Sequence, residues 1–339
     1  MKAIVCTQFA DVPALALDEA PDPQPQAGEV LVEVHACAVS FMDLLMAQGR
    51  YQMRPALPYV PGTDAAGVVA AVGAGVTRVR VGERVTCSHW HGAWAQRMVV
   101  PETNVVRIPD GVDFPTAASL RYAYGTARYA LVTTVRLLPG ETLFVSGAAG
   151  GVGLAAVDLG RQLGARVIAG VGTRTKVDAV RQRGAAEAVV YGEEDLRERI
   201  QALTGGRGID VGLDTVGGAV FDAMARLMNW GGRLLPIGFA SGTISALAAN
   251  LPLLKNYSVM GAFWGAWCRR CPEEAAAADE AVLRQVATGE LHPLVSRVLP
   301  WEDFAVALDA IGQRQVQGRM VLAVPHAAPS RSGQQSDYR

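Results

Sequence analysis

The stretch Ser146-Gly147-Ala148-Ala149-Gly150-Gly151-Val152-Gly153 decides the fold of this chain. It follows the apolar run Thr142-Leu143-Phe144-Val145, which is typical of a strand buried on both faces of a parallel sheet. After it, residues 154–163 place apolar side chains at helical spacing. From Ala148 the stretch reads A-x-G-x-x-G, a variant of the dinucleotide-binding fingerprint with alanine in place of the first glycine. A strand, a turn of small residues and a helix in this order predict a site where backbone N–H groups at the helix start hold a pyrophosphate.

The small residues of this loop suit a dinucleotide for a steric reason. They let the backbone turn tightly and approach the phosphates, while Gly153 allows the helix to pack closely against the preceding strand. A tight turn without a ligand is the alternative interpretation. The residues of the loop that we expect to contact a cofactor are Ala148, Ala149, Gly150, Gly151 and Val152.

The segment after the second strand indicates which nicotinamide cofactor binds. Residues 166–171 are strand-like and lead into Gly172-Thr173-Arg174-Thr175-Lys176. An NAD site usually carries Asp or Glu here to bind the ribose 2′-hydroxyl, and this segment has neither. Arg174 and Lys176 would attract a 2′-phosphate, and Thr173 could donate a hydrogen bond to it. The pattern predicts NADPH, with Gly172 beside it; alternatively, both basic side chains lie on a solvated helix face.

Strand-like and helical stretches alternate through the middle of the chain. Further strand-like runs occur at residues 188–190, 209–214 and 233–238. Alternation at this spacing predicts a doubly wound parallel sheet. Earlier residues show short strand-and-turn patterns instead, as at 28–36 and 67–73. The predicted fold class is α/β, with a β-rich domain beside a Rossmann-type sheet.

The overall composition excludes several classes of protein. Half of the 339 residues are hydrophobic, and 31 Lys and Arg nearly balance 32 Asp and Glu, so nothing predicts a nucleic-acid or anionic-membrane partner. No window approaches the roughly 18–20 uninterrupted apolar residues that a membrane span needs. The first residues lack the features of a signal peptide, and we therefore expect a cytoplasmic protein. Five scattered cysteines favour reduced thiols over a disulfide framework.

Several further motifs resemble one known family. The chain is similar to the medium-chain dehydrogenase/reductase superfamily and, within it, to the zinc-free quinone oxidoreductases, over about residues 1–324. Besides the glycine loop, the matching segments are Val60-Pro61-Gly62-Thr63-Asp64-Ala65-Ala66-Gly67, Val81-Gly82-Glu83-Arg84-Val85, Leu203-Thr204-Gly205-Gly206-Arg207-Gly208-Ile209-Asp210, Trp230-Gly231-Gly232-Arg233-Leu234 and Gly318-Arg319-Met320-Val321-Leu322.

The resemblance implies a domain arrangement. Residues 1–121 and 257–325 would pair into one GroES-like substrate domain, and residues 122–256 would form an inserted Rossmann domain that binds NADPH. Residues 326–339 are small and polar, and we expect a disordered tail there. The resemblance also implies a homodimer or homotetramer. By family position, Lys176 contacts the 2′-phosphate and Tyr191 flanks it.

The same comparison predicts that zinc is absent. Zinc-dependent relatives carry a cysteine where this chain has Ser40, and Gly-His-Glu where it has Gly62-Thr63-Asp64. A serine and a threonine cannot supply the thiolate and imidazole that bind Zn²⁺ tightly. Without a Lewis acid to stabilise an alkoxide, the substrate must already be electrophilic, as quinones and α,β-unsaturated carbonyls are. Hydride addition to them builds charge on an oxygen that needs hydrogen-bond donors.

Family position suggests which side chains face such a substrate. The candidate hydrogen-bond donors are Ser40, Tyr51 and, less directly, Tyr124. Structural roles for both tyrosines are the alternative. Phe263 is expected to contact the cofactor as well as the substrate, since relatives line the pocket at this position. The predicted substrate pocket comprises Ser40, Asp43, Tyr51, Phe263 and Trp264, with no metal ligand.

Together, the residues and the resemblance predict NADPH-dependent reduction of quinones or other activated alkenes. An enoyl-thioester reductase is a second enzymatic hypothesis, because acyl-chain relatives share the scaffold. A non-catalytic NADPH-binding sensor or structural protein is a hypothesis from another class, because no indispensable acid–base residue is evident.

Overall fold

The computed structural model describes residues 1–11 and 14–325, so the predicted tail at 326–339 lies outside the described residues. Two sheets dominate the described part of the chain, and a short hairpin accompanies them. In chain order the strands are β1 (Lys2–Gln8), β2 (Ala14–Glu19), β3 (Glu29–Val39), β4 (Asp64–Val72), β5 (Arg84–Ser88), β6 (Arg97–Pro101), β7 (Val105–Arg107), β8 (Thr142–Val145), β9 (Arg166–Val171), β10 (Glu187–Val190), β11 (Ile209–Asp214), β12 (Met228–Pro236), β13 (Ser258–Val259), β14 (Val295–Pro300) and β15 (Arg319–Ala323).

Helices cover the faces of the sheets and connect their strands. In chain order they are α1 (Phe41–Ala47), α2 (Phe114–Ala118), α3 (Arg121–Arg128), α4 (Gly151–Gln162), α5 (Val177–Gln182), α6 (Leu196–Thr204), α7 (Gly218–Leu227), α8 (Asn250–Lys255), α9 (Trp264–Arg270), α10 (Pro272–Ala287) and α11 (Phe304–Gly312). A π-helical segment, Tyr129–Thr134, continues α3.

The α/β unit contains a parallel sheet with the order β10-β9-β8-β11-β12-β13. Its central strand β8 is fully buried, as expected for a parallel strand covered on both faces. This sheet confirms the predicted doubly wound fold. It also extends past residue 256, where we expected the Rossmann segment to end, because Ser258 and Val259 pair in parallel with β12.

The second unit is a mostly antiparallel sheet with the order β14-β15-β3-β4-β5-β7, and β6 pairs with β3. Strand β15 follows the parallel sheet in the chain, yet Met320 lies opposite Val39 of β3. Strands that precede and follow the parallel-sheet segment in the chain therefore share one sheet. Trp94 and Trp301, both fully buried, fill the core of this unit.

The two units contact each other beside the glycine loop. A parallel bridge joins Gly150 to Gly318, and the Gly318 N–H donates to the Ala149 carbonyl at 2.8 Å. The loop that precedes α4 is therefore attached to the segment that leads into β15. Among the described residues, no helix is both long and apolar enough to cross a membrane.

Candidate active site

The glycine loop brings the backbone of β8 into the start of α4. Gly150 is the N-terminal cap of α4, and no side chain of the described residues bonds to the first-turn N–H groups there. A Cβ atom on Gly153 would lie 2.3 Å from the Gly147 carbonyl oxygen and 2.8 Å from the Ala148 Cα. Only glycine permits this approach at position 153. Free N–H groups, the helix dipole and an uncrowded loop together fit a dinucleotide pyrophosphate.

The other residues of the glycine loop are buried or half-buried. Ala148 and Ala149 are buried, and the Ala148 N–H donates to the Gly170 carbonyl of β9 at 2.9 Å. Gly151 and Val152 are half-buried at the start of α4. A Cβ on Gly151 would meet the Arg319 Cδ at 2.7 Å, so the side chain of Arg319 lies against the helix start. Sequence reasoning did not identify Arg319 as a site residue.

The Tyr191 side chain is hydrogen-bonded to the glycine loop. Its hydroxyl donates to the Gly170 carbonyl at 2.6 Å and accepts a hydrogen bond from the Gly147 N–H, also at 2.6 Å. A Cβ on Gly170 would lie 2.5 Å from the Tyr191 ring, so glycine is needed for the ring to fit. These two bonds join the glycine loop to β9 through the Tyr191 hydroxyl. A position of Tyr191 beside a 2′-phosphate stays a prediction.

The segment after β9 holds the predicted cations in different environments. A Cβ on Gly172 would meet open space, and Thr173 bonds to Thr175 side chain to side chain at 3.0 Å. Arg174 forms an exposed ion pair with Glu193, which partly neutralises its charge.

Lys176 is more enclosed, and its ammonium donates to the Arg314 carbonyl. Burial first, and then the positive charge of Arg314, lower the pKa of Lys176. Arg314 is therefore a second cation near the predicted 2′-phosphate position. The sequence did not single it out, because 138 residues separate it from Lys176.

A cleft of about 1290 Å³ opens between the two units. Of the side chains that we expected in the substrate pocket, Tyr51, Phe263 and Trp264 line it. Ser40 and Asp43 do not. Other aromatic side chains that line the cleft are Phe41, Trp90, Tyr122 and Phe239.

Ser40 and Asp43 are occupied by the start of α1, which corrects our expectation for them. The Ser40 hydroxyl donates to Asp43 Oδ2 at 2.6 Å, and the Ser40 N–H donates to the same oxygen at 2.7 Å. The Asp43 N–H in turn donates to the Ser40 hydroxyl at 3.2 Å. Both residues are buried in this reciprocal capping arrangement, so the hydroxyl is not available to a substrate in the cleft.

Tyr124 also lies elsewhere than we expected. Its buried hydroxyl donates to Asp158 Oδ2 at 2.8 Å, which ties α3 to α4. Tyr122, two residues earlier on the same helix, lines the cleft instead. Residues two apart on an α-helix point roughly 200° away from each other, so only one of these tyrosines can face the cleft. Helical periodicity in the sequence shows that the two tyrosines face opposite sides of α3, but it does not show which of them faces the cleft.

The wall of the cleft near Tyr122 contains a buried ion pair. Arg319 and Asp64 are 3.1 Å apart, with side chains that are 7% and 0% exposed. Burial raises the pKa of Asp64, and the charge of Arg319 opposes that shift. Several polar atoms here have no hydrogen-bond partner in the described structure, namely Asp43 Oδ1, Thr63 Oγ1, Asp64 Oδ1 and Arg319 Nε.

These residues do not fit a catalytic zinc ion. Ser40 and Thr63 offer neutral hydroxyls, and Asp64 Oδ2 already accepts hydrogen bonds from Arg319 and from the Tyr122 N–H. Within residues 1–11 and 14–325, no group of three or more His, Cys, Asp or Glu side chains is arranged to hold a metal. The neighbouring His89 and His91 have pKa values lowered mainly by burial.

The Asp43 carboxyl predicts a pH-dependent contribution to stability. Burial raises its pKa from 3.8 to about 7, although its bonds to Ser40 and the charge of Arg319 oppose the shift. Between these values the folded chain binds more protons than the unfolded chain, so the contribution of Asp43 to stability falls as the pH rises. Relative to the wild type, Asp43→Asn should therefore gain stability between about pH 4 and pH 7 and show a constant difference above this range.

Thermal unfolding temperatures of both proteins, measured across this pH range, test the prediction. Asp309→Asn, on the exposed face of α11, is the control for the removal of one surface carboxylate. A pH-independent difference for Asp43→Asn would contradict a raised carboxyl pKa in the fold.

Known proteins resemble the chain in both units. The family model described as "alcohol dehydrogenase GroES-like domain" matches residues 26–110, and the one described as "zinc-binding dehydrogenase" matches residues 151–282. Quinone oxidoreductase-like protein 2 of Rattus norvegicus is 36% identical over 326 residues, covering 95% of this chain and 92% of the relative. Its homolog from Nematostella vectensis is 35% identical over 325 residues, covering 95% and 88%.

A solved structure shows the same similarity in three dimensions. Escherichia coli quinone oxidoreductase, crystallised in complex with NADPH, is 28% identical and superposes with a TM-score of 0.89 over 95% of this chain and 100% of that one. The similarity thus spans both units and nearly the full length of the relatives, and it confirms the resemblance found in the sequence. The chain belongs to the quinone oxidoreductase-like proteins of the medium-chain dehydrogenase/reductase superfamily, and it is an oxidoreductase of that family.

Proposed function

We propose that this protein is a zinc-independent, NADPH-dependent reductase that transfers hydride to quinones or other α,β-unsaturated carbonyl compounds. The observation that carries the proposal is the aromatic cleft, which is lined by two tyrosines, Tyr51 and Tyr122. The Arg319 guanidinium lies over the Tyr122 ring, and the Arg319 side chain packs against the start of α4. Flat aromatic walls suit a planar acceptor, and phenol groups suit an oxygen that gains negative charge. The proposed reaction needs no metal ion. This agrees with Ser40 and Thr63, whose neutral hydroxyls are poor ligands for zinc.

Several residues would hold NADPH. The N–H groups at the start of α4 would take the pyrophosphate, and Lys176 and Arg314 would neutralise the 2′-phosphate. NADPH bound to Escherichia coli quinone oxidoreductase supports this assignment by analogy. When bound, the reduced nicotinamide supplies the hydride, and the protein orients the acceptor and excludes water.

An acceptor panel tests the reaction class. Metal-stripped protein should oxidise NADPH with 1,4-benzoquinone, 9,10-phenanthrenequinone or simple enones, and the added chelator should not reduce the rate. Faster turnover of crotonyl-CoA would favour the enoyl-thioester reductase. NADPH binding without turnover of any acceptor would favour a sensor or structural role. Alcohol oxidation that depends on stoichiometric zinc would contradict the proposal.

Lys176→Ala tests the cofactor assignment. Loss of one charge-assisted contact to the 2′-phosphate should raise the KM for NADPH roughly 10-fold or more. The KM for NADH, which lacks that phosphate, should change less than about 2-fold, since no such contact is lost. Steady-state kinetics with both cofactors measure the difference.

Arg181→Ala is the control for this substitution, because Arg181 is an exposed cation on the adjacent helix α5. It should leave both KM values nearly unchanged. A higher kcat/KM for NADH than for NADPH in the wild-type enzyme would refute the assignment. A cytoplasmic location and a homodimer or homotetramer remain predictions.

A further inference from the structure

Tyr122 lines the cleft from a helix start that buried side chains hold in place. It lies in the first turn of α3, where its N–H donates to Asp64 Oδ2 at 3.2 Å. Its neighbour Arg121 is buried and bonded to Asp279 at 2.8 Å. Side chains from two other parts of the fold thus fix this helix start.

The ring of Tyr122 is held on two sides. The Trp264 ring meets it nearly perpendicularly, with centroids 6.2 Å apart and an interplanar angle of 87°. The Arg319 guanidinium lies 5.7 Å from the ring centroid, within the range of a cation–π interaction. Trp264 is itself fixed, because its indole packs where a Cβ on Gly125 would approach within 2.7 Å.

The hydroxyl of Tyr122 is left free by these contacts. None of the hydrogen bonds among the described residues involves this hydroxyl, and the residue lines the cleft. Burial, and next the proximity of Tyr51, raise the pKa of Tyr122. The phenol is therefore protonated at neutral pH and is available as a hydrogen-bond donor.

Resting on the proposed function, we infer that Tyr122 is a catalytic residue whose hydroxyl donates a hydrogen bond to the acceptor oxygen that becomes negatively charged. As hydride adds to the acceptor carbon, one π bond of the acceptor is lost and its electron pair moves to that oxygen. The cofactor is oxidised and the acceptor is reduced by two electrons. A proton from water then completes the product, and Tyr122 keeps its own proton. The Arg319 guanidinium, which lies over the Tyr122 ring, adds positive charge near that hydroxyl.

Tyr122→Phe removes the donor and keeps the ring contacts with Trp264 and Arg319. With the best quinone acceptor, kcat should fall roughly 10- to 100-fold. Removal of one hydrogen-bond donor to an oxyanion typically lowers kcat by about 100-fold or more, so the expected loss lies at or below the lower end of that effect. The Kd for NADPH, measured by fluorescence titration, should stay within about 2-fold, since the inferred role places the phenol at the acceptor and not at the phosphate site. Tyr257→Phe is the matched control, because it removes a buried, unpartnered hydroxyl in the core of the parallel-sheet unit.

A binding measurement tests the same inference without turnover. In mildly alkaline buffer, 4-nitrophenolate presents an aromatic oxyanion to the protein saturated with NADP⁺. We expect the wild type to bind it and shift its absorption band, and Tyr122→Phe to bind it roughly 10-fold more weakly.

The two measurements separate the possible failures. If the wild type reduces no acceptor, the proposed function fails, and nitrophenolate binding still decides the role of Tyr122. If Tyr122→Phe keeps kcat within 2-fold of an active wild type, or binds nitrophenolate equally well, the inference is overturned. Equal losses in kcat and in NADPH affinity would also overturn it, since they would indicate a structural role.

Discussion

Gly153→Ala should weaken NADPH binding by roughly 100-fold, which corresponds to about 2.7 kcal/mol. The added Cβ would lie 2.3 Å from the Gly147 carbonyl oxygen and 2.8 Å from the Ala148 Cα. Both contacts involve backbone atoms, so no side-chain rotation can relieve them. Helix α4 would have to move away from the loop, and its first-turn N–H groups would leave the position of the pyrophosphate. Fluorescence titration with NADPH measures the loss.

Two variants make this result interpretable. Gly192→Ala should bind NADPH normally, because its Cβ would meet only the Gly172 carbonyl oxygen at 3.5 Å. If Gly153→Ala fails to fold, Gly151→Ala gives a milder test, since its Cβ would lie 2.7 Å from the Arg319 Cδ, a side-chain atom that can move. Normal NADPH affinity in a folded Gly153→Ala protein would rule out a phosphate site at the start of α4.

Asp279→Ala should destabilise the fold by about 3–5 kcal/mol, because it leaves the buried Arg121 guanidinium without its counter-charge. The two side chains are each 4% exposed and approach within 2.7 Å, which ties α10 to α3. For a chain of this size, such a loss should lower the Tm by roughly 4–7 °C. Differential scanning calorimetry of the purified variant measures the change.

The same helix provides the control. Glu280 pairs with Arg284 on the exposed face of α10, and Glu280→Ala should change the free energy of unfolding by less than about 1 kcal/mol. Replacing both buried partners, as in Arg121→Met with Asp279→Leu, should recover much of the lost stability, since no isolated charge remains. A Tm for Asp279→Ala equal to that of Glu280→Ala would show that the buried pair contributes little.

Local sequence signals were sufficient for the parallel-sheet unit. The loop at 146–153, its flanking apolar strand and the alternation that follows each depend on neighbours in the chain. The end of that unit was misplaced because β13 has only two residues, Ser258 and Val259, and its pairing with β12 is a tertiary contact. No periodicity can be read from so short a run.

The candidate site was harder to predict, because its side chains are brought together by contacts distant in the chain. Arg319 reaches Asp64 across 255 residues. Ser40 has the chemistry of a donor, but its hydroxyl caps α1, a role that depends on Asp43 three residues later. The spacing Ser-x-x-Asp resembles a capping pattern and would have supported that interpretation. The choice between Tyr122 and Tyr124 required only the orientation of α3, which the sequence does not fix.

The bridge between Gly150 and Gly318 limits how far the two units can be treated as interchangeable modules. Gly318 has a φ of +64°, and a Cβ there would lie 2.3 Å from the Leu294 carbonyl oxygen, so this position tolerates only glycine. Its N–H is bonded to the Ala149 carbonyl within the loop of the other unit. A chimaera that joins this substrate-binding unit to a nucleotide-binding unit from another protein must therefore reproduce a backbone match at residues 149, 150 and 318. Exchange of whole units between members of the superfamily is therefore restricted by this backbone contact, in addition to the points where the chain passes from one unit to the other.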